Sequence, residues 1–155
     1  MRGLGLLILR LSLGAVFIVH GLPKLLPVWG SGPADIAALL QIAGVSAAYP
    51  VTVGTGLVEV LAGSLLVAGA YTVLTALLLA VTTAAMSSFL HLSNGFFMNW
   101  SLEAWVGHGY EFDFLRLSAL GCVMLAGPGA FAYDARRASV KARKQRRQVV
   151  AGKKT

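Results

Sequence analysis

In the stretch GLGLLILRLSLGAVFIVHGLPK, residues 3–24, only Ser12, one arginine and one histidine interrupt an apolar run before it closes on Pro23 and Lys24. From 3 to 22 it supplies the ~20 residues a helix needs to cross a ~30 Å hydrocarbon core. In lipid such a segment is helical by necessity, because no water is present to satisfy open backbone groups. Three further apolar stretches of similar length follow, at 51–69, 72–91 and 113–132. The expectation is an all-α, multi-pass integral membrane protein, a four-helix bundle. Composition agrees: of 155 residues, 57% are hydrophobic and 12% charged, with a mean hydropathy of +0.75. That excludes a disordered chain, and a soluble domain this short could not enclose so much apolar surface. No small-residue cleavage site precedes His20, so the first span reads as retained and not as a signal peptide.

Between the second and third spans stand only Gly69, Ala70, Tyr71 and Thr72, which predicts a tight helical hairpin. The connection 33–49 holds Ile36, Leu39, Leu40 and Ala43 at helical spacing, too short to span and expected to lie along the outer interface. In the connection 92–110, Phe96, Phe97, Trp100, Trp105 and Tyr110 have the aromatic density of a membrane boundary. The single cysteine, Cys122, excludes an intramolecular disulfide and a cysteine metal cluster.

The formal charge of +7 is not spread along the chain. Nine of thirteen basic residues lie between Arg136 and Lys154, and the others are Arg2, Arg10, Lys24 and Arg116. By the excess of Lys and Arg on cytoplasmic loops, both termini should be cytoplasmic. The chain divides into a membrane domain, 1–133, and a basic tail, 134–155. The tail is expected to continue the fourth helix into the cytoplasm and to hold anionic lipids. No aromatic residues alternate with its charges to stack bases, so nucleic acid is not the expected partner.

Ionisable residues inside a span cost about 2.5–3.5 kcal/mol each on insertion scales, so each needs a partner, a water cavity or a function. Arg10, Gly14, Phe17, Gly21 and Lys24 form one stripe of the first span, with His20 at its edge. Thr52, Gly56, Glu59 and Gly63 form one face of the second. Counted from the cytoplasmic ends, Arg10 and Glu59 come out at similar depth, which predicts a buried ion pair.

At the outer end, His20 and Lys24 close span one, and Thr83, Ser87 and His91 share the face that closes span three. Glu111 opens span four, followed by Asp113 and Arg116, three apart and able to pair. The expected ligand site is therefore His20, Lys24, His91 and Glu111. Such a set could bind the oxygens of a quinone head group and exchange its protons. A two-His, one-carboxylate metal centre competes for the same groups, but no HxxxH or ExxH spacing on one helix supports it. A bis-histidine haem needs two histidines facing each other at one depth, a condition open to His20 and His91. No Gly-rich dinucleotide fingerprint occurs.

The stripe Arg10-xxx-Gly14-xx-Phe17-xx-His20-Gly21-xx-Lys24, then Glu59 with Gly63 and Gly69, then Gly127-Pro128-Gly129 and Asp134, resembles the DoxX family of small bacterial membrane proteins. The resemblance covers roughly residues 4–134. It implies a four-helix bundle in the bacterial plasma membrane, with Arg10, His20, Lys24 and Glu59, and then Glu111, as its polar set. It also implies a link to quinone-coupled redox, because family members are membrane subunits of quinol oxidase and thiosulfate:quinone oxidoreductase systems, and others anchor oxidant-defence enzymes. The chain departs from the pattern at Ala132, where a serine usually follows the turn, and at Asp113 and Arg116 in a helix that is otherwise apolar.

Two functions follow as expectations. One is a membrane redox subunit that binds quinone or quinol while a partner oxidoreductase holds the electron-transfer cofactor. The other is a non-catalytic anchor or assembly protein. A small transporter ranks below both, since no broken helix or inverted repeat is evident.

Overall fold

A computed structural model describes residues 2–102 and 106–152. Trp105, Lys153 and Lys154, counted above, lie outside the described residues. Six α-helices and two short 3-10 turns make up the described chain, with no strand among the described residues. The helices are α1 Arg2–Gly21, α2 Pro33–Ile42, α3 Ala48–Ala68, α4 Thr72–Leu90, α5 Glu111–Ala126 and α6 Tyr133–Gly152. Three segments are long and apolar enough to cross a membrane: Gly3–Lys24, Ala48–Ala68 and Thr72–Leu90. The chain is a membrane protein by these helices.

The tightest packing joins α1 to α3, and glycine is the reason. A Cβ on Gly14 would lie 2.7 Å from the Gly63 carbonyl oxygen, and one on Gly21 would lie 2.9 Å from that of Gly56. At these two crossings the backbones themselves touch, so helices without a hydrophobic drive between them in lipid still gain dense contact. From there α3 packs on α4, α4 on α5, and α5 returns against α1. Leu13, Phe17, Ala62, Leu66, Ala76, Leu79, Leu120 and Val123 fill the space between them. A smaller cluster of Ala37, Leu40, Ala48 and Met86 seats α2 across the ends of α3 and α4. Pro33 opens α2, and the Gly32 N–H donates to Asp35 at 2.8 Å.

The hairpin between α3 and α4 is as tight as its sequence indicates. Gly69 ends α3 in the left-handed conformation at φ +68°, where a side chain would be strained. Two expectations need correction. The fourth apolar stretch yields a helix of only 16 residues, Glu111–Ala126, in place of 113–132. The tail also does not continue it: Gly127 at φ +76° and Gly129 at φ +74° flank Pro128 and break the helix, and α6 starts afresh at Tyr133. Glycine in that region of φ, next to a proline, stops a helix whatever the apolarity of the residues that follow.

Two ends can now be distinguished. The hairpin end carries the α3–α4 turn, the Gly127–Gly129 turn and the start of α6. The loop end carries α2 and the connection from α4 to α5, whose strands are clasped by Gly109 N–H to Phe97 O, Tyr110 N–H to Gly95 O and Glu111 N–H to Phe96 O, at 3.1, 3.1 and 2.8 Å.

Candidate functional site

Buried charge gathers in two places toward the loop end. Between α1 and α3, Lys24 Nζ donates to Glu59 Oε1 at 2.6 Å, with side chains 12% and 4% exposed. Glu59 Oε2 has no hydrogen-bond partner among the described residues. The depth count led from Glu59 to Arg10, and the geometry gives a different partner. Because Gly14 faces Gly63 and Gly21 faces Gly56, the same antiparallel register brings Arg10 to Gly69, beyond the last turn of α3. The first turns of α1 extend past the hairpin end, where Gly3 meets Ala130. Counting both helices from a common plane therefore put Arg10 some two to three turns too close to Glu59. Arg10 is almost fully buried beside Gly69 and Ala132, with Nε and Nη1 lacking a hydrogen-bond partner among the described residues.

The second cluster joins α4 and α5. His91 Nδ1 donates to Asp113 Oδ2 at 2.5 Å, and Arg116 Nη2 donates to Asp113 Oδ1. Asp113 is 2% exposed, and Thr83 and Ser87 are buried on the His91 face of α4. Arg116 lies over two rings, Phe17 of α1 at 5.5 Å and Phe112 at 4.8 Å. A guanidinium held on a carboxylate and over aromatic faces keeps its charge compensated away from water. Beside the cluster runs a groove of about 210 Å³ lined by Ala84, Ser87, Ser88, Leu92, Tyr110, Asp113, Phe114 and Leu117.

The four residues expected to share a site are each engaged separately. His20 is exposed; its Nδ1 donates to Val16 O at 2.8 Å, and its ring stacks on Phe112 at 5.7 Å. Lys24 is held by Glu59. His91 holds Asp113, and Glu111 accepts from the Met98 N–H at 3.2 Å. Among the described residues no hydrogen bond or ion pair joins these four to one another, and no group of three or more His, Cys, Asp or Glu could hold a metal ion. Phe112 brings His20 and Arg116 near one ring, so α1 and α5 do meet at this level.

Sequence reasoning gave Asp113 and Arg116 a pairing with each other and an added polar feature suited to a partner contact, but no link to His91. The signal that would have found more is the polar face Thr83, Ser87 and His91 on the neighbouring helix, which needed a partner on whatever packed against it. Asp134 was also missed: its carboxylate accepts from the Tyr71 and Thr72 N–H groups at 3.0 and 2.9 Å and from the Thr72 hydroxyl at 3.0 Å. It thereby caps α4 from 62 residues away. These bonds and the charge of Arg137 hold its pKa below the usual carboxylate range, against a partial burial that acts to raise it.

The helices and their polar stripe have a counterpart among known proteins. The family model described as DoxX matches residues 5–92, more than half of the chain. The chain belongs to the DoxX family. No curated protein and no solved structure matches it. The DoxX match runs from α1 to the end of α4 and holds Arg10, His20, Lys24, Glu59 and His91. Asp113, Arg116 and Asp134 fall after it, so the α4–α5 cluster sets a residue of the matched region against residues beyond it.

Proposed function

We propose that this DoxX protein is a subunit of a quinone-linked redox or oxidant-defence system in the bacterial plasma membrane, and that it binds the head of a quinone or quinol in the groove between α4 and α5. In this reading α5 is the fourth crossing of a four-helix bundle. The hairpin end with the basic α6 faces the cytoplasm, so both termini are cytoplasmic. The observation that carries the proposal is Asp113, buried, bonded to His91 and lining the groove. One wall of that groove is apolar, and Phe114 on its rim is exposed toward lipid, as a hydrophobic ligand with a polar head requires.

The chemistry within reach is proton handling. A carboxylate has about four acceptor sites, more than His91, Arg116 and Ser87 occupy here, so Asp113 can accept from a quinol hydroxyl. With Nδ1 engaged, His91 has Nε2 left for water; its side chain is 31% exposed, which gives a proton a way out at the loop end. Electrons pass to a partner oxidoreductase that carries its own redox cofactor. His20, stacked on Phe112, and Lys24 and Glu111 would act on the shape of this region through Phe112, Glu59 and the loop.

Anchoring of the partner without ligand chemistry is the second reading, favoured by the exposed apolar side chains Trp29, Ile42, Phe97 and Trp100 at the loop end. Titrating the detergent-purified protein with a short-chain quinone tests the first reading. Asp113→Asn and His91→Ala should weaken binding by roughly 10- to 100-fold, the worth of a hydrogen bond to a charged group. Unchanged binding in both variants, or none in the wild type, would leave the anchor; co-purification in mild detergent then identifies what it holds.

A further inference from the structure

The helix α6 carries seven of the chain's thirteen basic residues and touches almost nothing. Before Asp134 the sequence carries four basic and five acidic residues, so the +7 excess belongs to the tail. From Arg136 to Val149 every residue of α6 except those in its first turn is exposed, and none of its seven cations enters an ion pair among the described residues. At 100° per residue these cations are not spread evenly. Six of the seven, Arg136, Arg137, Lys141, Arg143, Lys144 and Arg147, fall on one side, with Val140 in their midst, while Arg146 alone falls on the other, among Ala135, Ala138, Ala142, Gln145 and Val149.

The start of the helix is fixed in place. Asp134 N–H donates to Gly69 O at 3.0 Å while its carboxylate caps α4, and Ala132 before it is fully buried. A helix pinned where one spanning helix ends and the next begins starts at the level of the head groups and cannot drift from them. We infer that α6 lies along the bilayer surface with its Arg136–Arg137–Lys144–Arg147 face on anionic lipid head groups, forming a lipid-binding arm of the bundle. Charge complementarity selects the occupant: lysine and arginine near an anionic leaflet are each attracted, and several on one face add up. The opposite face carries alanines with Gln145 and Arg146 and offers only Val149 to insert among acyl chains, so contact is electrostatic and on the side that holds six of the seven cations.

The test places a polarity-sensitive fluorophore on full-length protein in nanodiscs, in a Cys122→Ser background, at Val140→Cys on the basic face or at Ala142→Cys on the other. Both positions are exposed, so neither label disturbs packing. Replacing part of the phosphatidylcholine by phosphatidylglycerol should brighten and blue-shift the Val140 label, leave the Ala142 label unchanged, and be reversed by high salt. Adding Arg137→Gln, Lys144→Gln and Arg147→Gln should raise the phosphatidylglycerol fraction needed by several-fold. A Val140 label indifferent to lipid charge would overturn the inference. So would an Ala142 response that grows with protein concentration, which marks pairing with a second copy, or an equal Val140 response to an acidic peptide or oligonucleotide in neutral discs.

Discussion

Replacing Lys24 by alanine should damage this protein more than replacing Glu59, although the two make the same bond. Glu59 is 4% exposed, and Lys24 is the only partner of its carboxylate among the described residues. Lys24→Ala therefore strands a charge inside the helix pair, which costs about 3–5 kcal/mol. Lys24 ends the 3-10 turn that follows α1, at the loop end, on a stem long enough to carry the ammonium toward the interface. Glu59→Ala should then cost nearer the single charge-assisted bond, about 1.5–3 kcal/mol. The double variant should cost less than the two added. Reversible unfolding in mixed micelles, with helicity as the signal, reads all four corners of the cycle. Equal costs, a reversed order, or additivity would refute the reasoning. A parallel cycle of Arg10→Ala with Glu59→Ala should be additive within about 0.5 kcal/mol, because ten residues of α3 separate Gly69, where Arg10 sits, from Glu59, about 15 Å along the axis.

Three further outcomes are expected. Asp134→Ala should lower stability by about 0.5–2 kcal/mol by uncapping α4; since the folded pKa of Asp134 is depressed, its contribution is complete above the ordinary carboxylate pKa and is lost as pH falls through the lowered value, so the deficit measured at neutral pH should vanish on acidification. Gly63→Val should separate α1 from α3, because even a Cβ there would lie 3.0 Å from the Gly14 carbonyl oxygen; crosslinking between cysteines on the two helices should fall sharply, while Gly54→Val, where nothing lies within 4 Å, should leave it unchanged. A reporter fused after residue 155 should be active only in its cytoplasmic form, and a periplasmic signal would reverse the proposed orientation.

The helices were legible because lipid leaves the backbone little choice, and hydropathy alone therefore found α1, α3 and α4. The faces were legible too: the glycines of α1 and α3 marked where backbones touch, and Thr83, Ser87 and His91 marked where α4 meets polar company. What could not be read was register. Helical spacing says which residues share a face but not how far one helix slides along another, and Arg10 and Glu59 differ in level by that slide. Long-range capping was equally hidden, since nothing local to Thr72 points to Asp134. The length of α5 was overestimated because a Gly-Pro-Gly turn counts as weakly polar yet ends a helix by conformation.

The 16 residues of α5 amount to about 24 Å of helix, whereas the 22 residues from Gly3 to Lys24 amount to about 33 Å. Taken as the fourth crossing, α5 gives the molecule a low wall on one side and a tall one on the other. A bilayer cannot match both heights at once, so it must pinch beside α5, at a cost of fractions of a kcal/mol per ångström. Pinching lowers the membrane surface at the loop end toward Asp113 and shortens the distance water has to travel to reach it. The protein should therefore favour thin patches of membrane, and two copies that turned their low walls to each other would share a single pinch where apart they would each need one.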